Sequence, residues 1–170
     1  FEFSKLSGET KDKKAISIKA NIEISSEVKM ASKYGAEGIG MYRTEFLFTK
    51  KEVFPNLDEQ YQDYTDLFKD NLFDEVTIRT LDIGGDKIQD YTHLENNPAL
   101  GLRGIRYSLA NTDTFETQLN AIIKVIKEKN KKIRILLPMI SNLQEINKSL
   151  SMIKEIEKSY NIKPGLVSIG

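Results

Sequence analysis

The sequence predicts an α/β fold with parallel strands, built from about four βα units and the start of a fifth strand. Short apolar runs rich in β-branched residues alternate with stretches in which apolar residues recur at helical spacing. A connection that contains a helix joins parallel strands, and such connections are right-handed. Two architectures fit this order: an open doubly wound sheet, and part of a (β/α)8 barrel.

The composition indicates a soluble protein with no overall attraction for nucleic acid or membranes. Among 170 residues, Lys and Arg number 25, as do Asp and Glu, so any anion site must be local. The absence of cysteine excludes disulfides and thiol chemistry within these residues and fits a reducing compartment. There is no membrane-length apolar run and no signal-peptide pattern at the start. We therefore expect a cytoplasmic protein without membrane insertion.

The first βα unit is predicted to follow a linker, or the end of a preceding element, at residues 1–14. Residues 15–22 alternate between apolar and polar side chains, as a strand with one buried face does. Ser25 or Ser26 can cap the next helix, and Gly35 suits the left-handed position after its last turn.

The second unit opens with a predicted strand at residues 38–42, and Arg43 stands at its end. Pro55 and the capping box from Asn56 to Glu59 predict the start of the next helix. The apolar stripe of this helix consists of Leu57, Tyr61, Tyr64 and Phe68.

The third predicted strand begins at Val76 and leads to charged residues at a strand-to-loop junction, where α/β proteins tend to place their chemistry. These residues are Arg79, Asp82, Asp86 and Lys87. The guanidinium of Arg79 stays charged and needs acceptors. A bound anion or an ion pair with Asp82 or Asp86 would satisfy it, and this segment alone leaves both open. We expect Asp82, Asp86 and Lys87 to hold the loop rather than to do chemistry.

A long loop is predicted from Gly84 to about Asn111, and long loops inside compact domains are usually functional or disordered. The box from Asp113 to Glu116 predicts the start of the next helix. Its apolar residues at helical spacing are Leu119, Ile122, Ile123 and Ile126.

A fourth strand is predicted at residues 133–137, stopped by Pro138. The box from Ser141 to Gln144 predicts a helix after it, and the turn at 164–165 leads into the start of a fifth strand. The apolar residues of that helix are Leu143, Ile146, Leu150 and Ile153.

Glycine spacing favours the barrel over the open sheet. An open sheet of this length usually carries a phosphate-binding glycine fingerprint, but Arg43 stands where the third glycine after Gly38 and Gly40 belongs. Residues 82–87 lack the spacing and the Ser/Thr of a P-loop. The sequence thus predicts that residues 15–170 form a partial (β/α)8 TIM barrel, about half of a complete one.

Four segments in order, residues 35–48, 76–87, 97–103 and 133–140, together resemble Enzyme I of the bacterial phosphotransferase system. The resemblance covers nearly the whole chain from about Lys14 and corresponds to the first half of the family's C-terminal barrel, which binds phosphoenolpyruvate (PEP). The Arg-Thr-Glu-Phe element is shared with phosphoenolpyruvate synthase and pyruvate phosphate dikinase, so it identifies the superfamily only. The element Arg-Thr-Leu-Asp-Ile-Gly-Gly-Asp-Lys is more specific to Enzyme I.

The resemblance implies a homodimeric enzyme that transfers the phosphoryl group of PEP to a histidine of a separate N-terminal domain. The group then passes to the small histidine-containing phosphocarrier protein. Two arginines at the ends of the second and third strands hold the substrate phosphate in this family, and they correspond to Arg43 and Arg79. A third arginine, in the long loop, corresponds to Arg103. A planar guanidinium suits this role because it can donate two parallel hydrogen bonds to phosphate.

The resemblance also implies that other catalytic parts lie outside this chain. The Mg²⁺ ligands of the family belong to strands five and six, beyond residue 170. Its cysteine proton donor lies further on, and its phosphorylated histidine lies upstream. His93 matches no family motif and is expected to be a surface residue. We therefore expect the 170 residues alone to be inactive.

Alternatives remain open for each arginine and for the function. Arg43 could pair with Glu37 or Glu45, and either Arg103 or Arg106 could be the partner of Glu95 or Asp113. A synthase or dikinase barrel would retain the same superfamily element. A module that senses PEP without transferring phosphate is the alternative of a different class.

Overall fold

The computed structural model describes residues 8–49, 53–84, 101–162 and 167–170. Its elements in chain order are β1 (Ala20–Ile22), a 3-10 turn (Ser25–Glu27), α1 (Val28–Lys33), β2 (Ile39–Arg43), α2 (Glu45–Thr49), α3 (Leu57–Asp66), β3 (Glu75–Arg79), α4 (Ile105–Ala110), α5 (Thr112–Lys129), β4 (Lys132–Leu136), α6 (Leu143–Ser159) and β5 (Ser168–Ile169). Within these ranges, no helix combines the length and apolar character needed to cross a membrane.

The strands form one parallel sheet in the order β1-β2-β3-β4-β5, so each strand pairs with its neighbours in sequence. This confirms the predicted α/β class with parallel strands, while closure into a barrel stays a prediction. Because parallel strands all run in one direction, their carboxyl ends meet at a single edge of the sheet. That edge carries the residues of interest.

The core lies between the sheet and its crossover helices. Val76, Thr77 and Ile78 are all buried, which is typical of a parallel strand covered on both faces. Helix α3 packs against α5, and α5 packs against α6. The predicted stripe of α5 is confirmed, since Leu119, Ile122, Ile123 and Ile126 are buried.

The first predicted strand is wrong over most of its length, because only residues 20–22 form β1. Ile16 and Ile18 are exposed. Ala15 instead makes an antiparallel bridge to Glu9, so the chain folds back on itself before it enters the sheet. The alternation at residues 15–19 therefore does not mark a face turned toward the core.

The start of the first helix also differs from the prediction. Neither serine caps it: Ser25 and Ser26 lie inside the 3-10 turn, whose N-cap is Ile24. The carboxylate of Glu27 accepts the backbone N–H groups of Glu23 and Ile24. The prediction for Gly35 is confirmed, since its φ of 89° lies in the left-handed region that glycine adopts without strain.

The capping boxes were predicted with mixed success. The box Asn56 to Glu59 is present as predicted. The box at the start of α6 joins Asn142 to Glu145, one residue later than predicted. Helix α5 begins at Thr112 without a side-chain cap, so the predicted box at Asp113 is wrong.

The long loop is partly helical, because α4 occupies residues 105–110. Sequence periodicity missed α4 because six residues are too few to establish a helical period. Asp86, Lys87, His93 and the turn at 164–165 lie outside the described residues.

Candidate anion-binding site

Arg43 and Arg79 are the last residues of β2 and β3, and they are directly paired in the sheet register. Paired residues on adjacent parallel strands point to the same face, and the strands lie about 4.8 Å apart. The two guanidinium groups therefore leave the sheet at the same edge and on the same side. The order of the elements alone could not establish this register.

A cleft of about 480 Å³ opens at this edge and contains all of the predicted arginines. Asn21 and Glu23 contribute from β1 and the residue after it, and the other side chains come from β2, from α2, from the end of β3 and the loop after it, and from the segment before α4. The lining residues are Asn21, Glu23, Met41, Arg43, Glu45, Phe46, Thr49, Arg79, Asp82 and Arg103.

Arg79 is held by two acidic side chains. Its Nη2 lies 3.0 Å from Oε1 of Glu45, and its Nη1 lies 3.5 Å from Oδ2 of Asp82. The side chain is 20 % exposed, and its buried Nε has no hydrogen-bond partner in the part of the chain that the structure describes. The predicted pair with Asp82 is thus present, and Glu45 is an additional partner.

Arg43 forms an ion pair with Glu23. The alternative partners considered from the sequence were Glu37 and Glu45, but the carboxylate of Glu45 is directed to Arg79. The Nε of Arg43, like that of Arg79, is buried without a hydrogen-bond partner among the described residues.

Arg103 forms a bidentate pair with Asp82, with Nε 2.9 Å from Oδ1 and Nη2 3.2 Å from Oδ2. Among the described residues, its partner is Asp82 rather than Asp113. The next residue, Gly104, has a φ of 57°, and a Cβ there would lie 2.9 Å from the carbonyl oxygen of Pro138. This close approach requires glycine and brings Arg103 to the cleft as the chain enters α4.

Asp82 and Glu45 organise the loop after β3. Asp82 joins Arg79 to Arg103, and its backbone N–H donates to Oε1 of Glu45 at 3.0 Å. The Asp82 side chain is only 6 % exposed, so these contacts replace the water that its carboxylate would otherwise bind. They hold the loop, as predicted for Asp82.

A buried polar network lies beneath the arginines and links α5 to both strand ends. Oε1 of Gln118 accepts the N–H of Leu81 at 3.0 Å, and Nε2 donates to the hydroxyl oxygens of Thr44 and Tyr64. The Thr44 hydroxyl in turn donates to the carbonyl oxygen of Arg79 at 3.0 Å. Gln118 is 1 % exposed, so the network is shielded from water.

Sequence reasoning missed Glu23 and Gln118, and it considered Glu45 only as a partner of Arg43 and not of Arg79. Glu45 follows Arg43 within the Arg-Thr-Glu-Phe element, so its position in that element could have marked it as part of the site. Gln118 is a lone polar residue on the apolar face of a helix, and that break in the pattern could have marked it. No local signal marks Glu23, because its contact with Arg43 depends on the pairing of β1 with β2.

The cleft is electrically balanced, with Arg43, Arg79 and Arg103 facing Glu23, Glu45 and Asp82. Convergent guanidinium groups can bind phosphate or carboxylate oxygens by charge-assisted hydrogen bonds. In the part of the chain that the structure describes, no group of three or more His, Cys, Asp or Glu side chains could hold a metal ion.

Comparisons with known proteins show which proteins this chain is similar to. The family model for the PEP-binding domain of PEP-utilising enzymes matches residues 2–166. A phosphoenolpyruvate-protein phosphotransferase of Buchnera aphidicola subsp. Acyrthosiphon pisum is 42 % identical over 158 residues, which cover 90 % of this chain and 27 % of that protein. Proteins of the same name from Latilactobacillus sakei and Bacillus subtilis are each 37 % identical over 169 residues, covering 96 % of this chain and 29 % of theirs. The chain thus spans about a quarter of the length of these curated relatives.

Proposed function

The chain belongs to the family of PEP-binding domains of PEP-utilising enzymes, and on this premise we propose that it is part of a phosphoenolpyruvate-protein phosphotransferase. In this proposal, Arg43 and Arg79 bind the phosphate of PEP, and Arg103 is a further substrate contact. The observation that carries the proposal is the direct pairing of Arg43 with Arg79 at the carboxyl ends of adjacent strands.

The site suits phosphoryl transfer because that reaction depends mainly on positioning and on neutralising the phosphoryl oxygens. Guanidinium groups stay charged throughout the physiological pH range. Two of them on adjacent strands can hold a phosphate in one orientation, because both line the same cleft. Neither arginine exchanges a proton with the substrate.

The strand order supports the barrel as the setting for this site. A doubly wound sheet reverses its strand order at a switch point, whereas these five strands follow one another in sequence, as barrel strands do. We propose that residues 15–170 form the N-terminal half of a (β/α)8 TIM barrel. The carboxyl edge of the sheet, which carries the cleft, is where such barrels place their active sites.

The remaining machinery belongs to the full-length enzyme. We propose that Mg²⁺ neutralises substrate oxygens there, through ligands beyond residue 170. An N-terminal domain outside this chain would carry the phosphorylated histidine and engage the histidine-containing phosphocarrier protein. The enzyme would act as a cytoplasmic homodimer.

The test is to replace each strand-end arginine by alanine in the full-length protein. We expect Arg79→Ala to remove about 2–4 kcal/mol of transition-state stabilisation, or about 30- to 900-fold in kcat/KM, as loss of one preorganised donor does. Arg43→Ala should act in the same direction. Calorimetric titration with PEP would separate loss of binding from loss of transfer.

Arg134→Ala is the matched control, because Arg134 also lies on a strand but is half-exposed and bonds Ser168 outside the cleft. Near-normal transfer by Arg79→Ala would contradict the assignment. Tight PEP binding without transfer to any histidine would favour the sensing module instead. Transfer of the phosphoryl group to a substrate other than the carrier protein would favour a synthase or dikinase.

A further inference from the structure

We propose that Glu23 is a displaceable counter-ion of Arg43, which the phosphate of the substrate must replace and which thereby lowers the affinity of the site. This inference rests on the proposed function, because it requires Arg43 to be a ligand of the phosphate. The inference concerns Glu23, which directly follows β1, whereas none of the three proposed substrate-binding arginines lies on that strand.

The three acidic residues of the cleft differ in how firmly they are held. Asp82 is 6 % exposed and bonds two arginines, and Glu45 is 15 % exposed and bonds both Arg79 and the N–H of Asp82. The side chain of Glu23 is 47 % exposed, and its carboxylate contacts Arg43 alone among the described residues. Glu23 is therefore the acid that can leave its arginine at the lowest cost.

Release of Glu45 or Asp82 would strand a buried carboxylate, which is strongly unfavourable. Release of Glu23 returns its carboxylate to water. The backbone of Glu23 need not move, because its N–H is fixed separately by Oε2 of Glu27 at 2.8 Å. Rotation of the side chain alone is enough to free the guanidinium of Arg43.

The consequence is a competition for Arg43. A ligand that uses Arg43 binds only to the fraction of molecules in which Glu23 has moved away, so its apparent dissociation constant is raised by the reciprocal of that fraction. The dissociation constant rises by the same factor for every ligand that binds Arg43. The dissociation constant of a ligand that does not contact Arg43 is unchanged. Exposed ion pairs are weak, so we expect a factor of about two to five.

Glu23→Gln in the full-length protein tests this, with PEP and inorganic phosphate as the titrated ligands. The amide keeps the shape of the side chain and removes its charge, so both ligands should bind about two- to fivefold more tightly. Glu37→Gln is the control, because Glu37 is an exposed glutamate at the opposite end of β2 and its replacement causes the same change in net charge. It should leave both affinities unchanged.

The double variant with Arg43→Ala distinguishes displacement from the general field of a nearby negative charge. If Glu23 acts by occupying Arg43, Glu23→Gln should have no effect once Arg43 is absent. The inference would be overturned if Glu23→Gln increased ligand affinity equally in the presence and absence of Arg43. It would also be overturned if the Glu23→Gln variant bound the ligands no more tightly than the wild-type protein. These failures leave the proposed function intact as long as Arg43→Ala itself weakens binding. Wild-type PEP affinity in Arg43→Ala would overturn both proposals.

Discussion

Replacing Gln118 by leucine should loosen both strand ends that carry Arg43 and Arg79. The two side chains have similar volume, so the change removes hydrogen bonds without opening a large cavity. Gln118 is the only described side chain that bonds both Thr44, which follows β2, and the N–H of Leu81, which follows β3. The variant therefore removes the hydrogen bonds beneath the candidate site while leaving its arginines unchanged.

The expected loss in the free energy of unfolding follows from the hydrogen bonds that each partner of Gln118 loses. The buried N–H of Leu81 loses its acceptor, which costs about 1–3 kcal/mol. Tyr64 still donates to Gln60 and Thr44 still donates to the carbonyl of Arg79, so each loses one bond of about 1 kcal/mol. The sum is about 3–5 kcal/mol. For a domain of this size, that lowers Tm by about 6–20 °C.

The assay is scanning calorimetry of the full-length protein, combined with hydrogen exchange of the peptide that contains Leu81 and with PEP titration. We expect lower Tm, faster exchange at Leu81 and weaker PEP binding. Gln62→Leu is the matched control, because Gln62 bonds Asp66 on the exposed side of α3, where substitutions usually change stability by less than about 0.5 kcal/mol. A Gln118→Leu protein as stable as Gln62→Leu would refute the reasoning. Normal PEP affinity despite lower stability would refute only the link to the site.

Two further predictions concern the isolated chain and the buried tyrosines. The 170 residues alone should self-associate and show no tight Mg²⁺-dependent PEP binding by calorimetry. Among the described strands, β5 has a neighbour on one side only, and the half-buried apolar side chains of Leu150 and Val167 lie beside it. A monomer with micromolar affinity would contradict this. Burial raises the pKa of Tyr42 and of Tyr64, and the charge of Asp63 raises that of Tyr42 further. Unfolded tyrosine ionises near pH 10 while these two stay protonated, so their contribution to stability should be constant below about pH 10 and be lost above it. Denaturant midpoints at rising pH would test this, and a slope unchanged in Tyr42→Phe would contradict it.

Much of the fold could be predicted because it is encoded locally. The strand runs ending at Arg43 and Arg79 and the stripe of α5 are patterns within a few consecutive residues. The capping box from Asn56 to Glu59 is equally local, since both partners lie within one helical turn. Predictions failed where a similar pattern served another purpose, as at residues 15–19, which fold back toward Glu9 instead of joining the sheet.

The cations of the candidate site were predicted from the sequence, but most of their acidic partners were not. Arg43, Arg79 and Arg103 were found by motif, and the structure brings them to one cleft. The predicted partners of Arg43 were neighbours in sequence, whereas its actual partner is Glu23 on another strand. Asp82 was predicted to pair with Arg79, but its stronger bidentate pair joins it to Arg103.

The sequence by itself determined the order of strands and helices and the placement of an arginine at two strand ends, because periodicity and breaker residues act over a few positions. Only the tertiary structure decided that Arg43 and Arg79 are paired, that Glu23 opposes one of them and that Gln118 supports both strand ends. Those relations join residues far apart in the chain. They depend on the register between strands and the packing of α5 on the sheet, which no local pattern specifies.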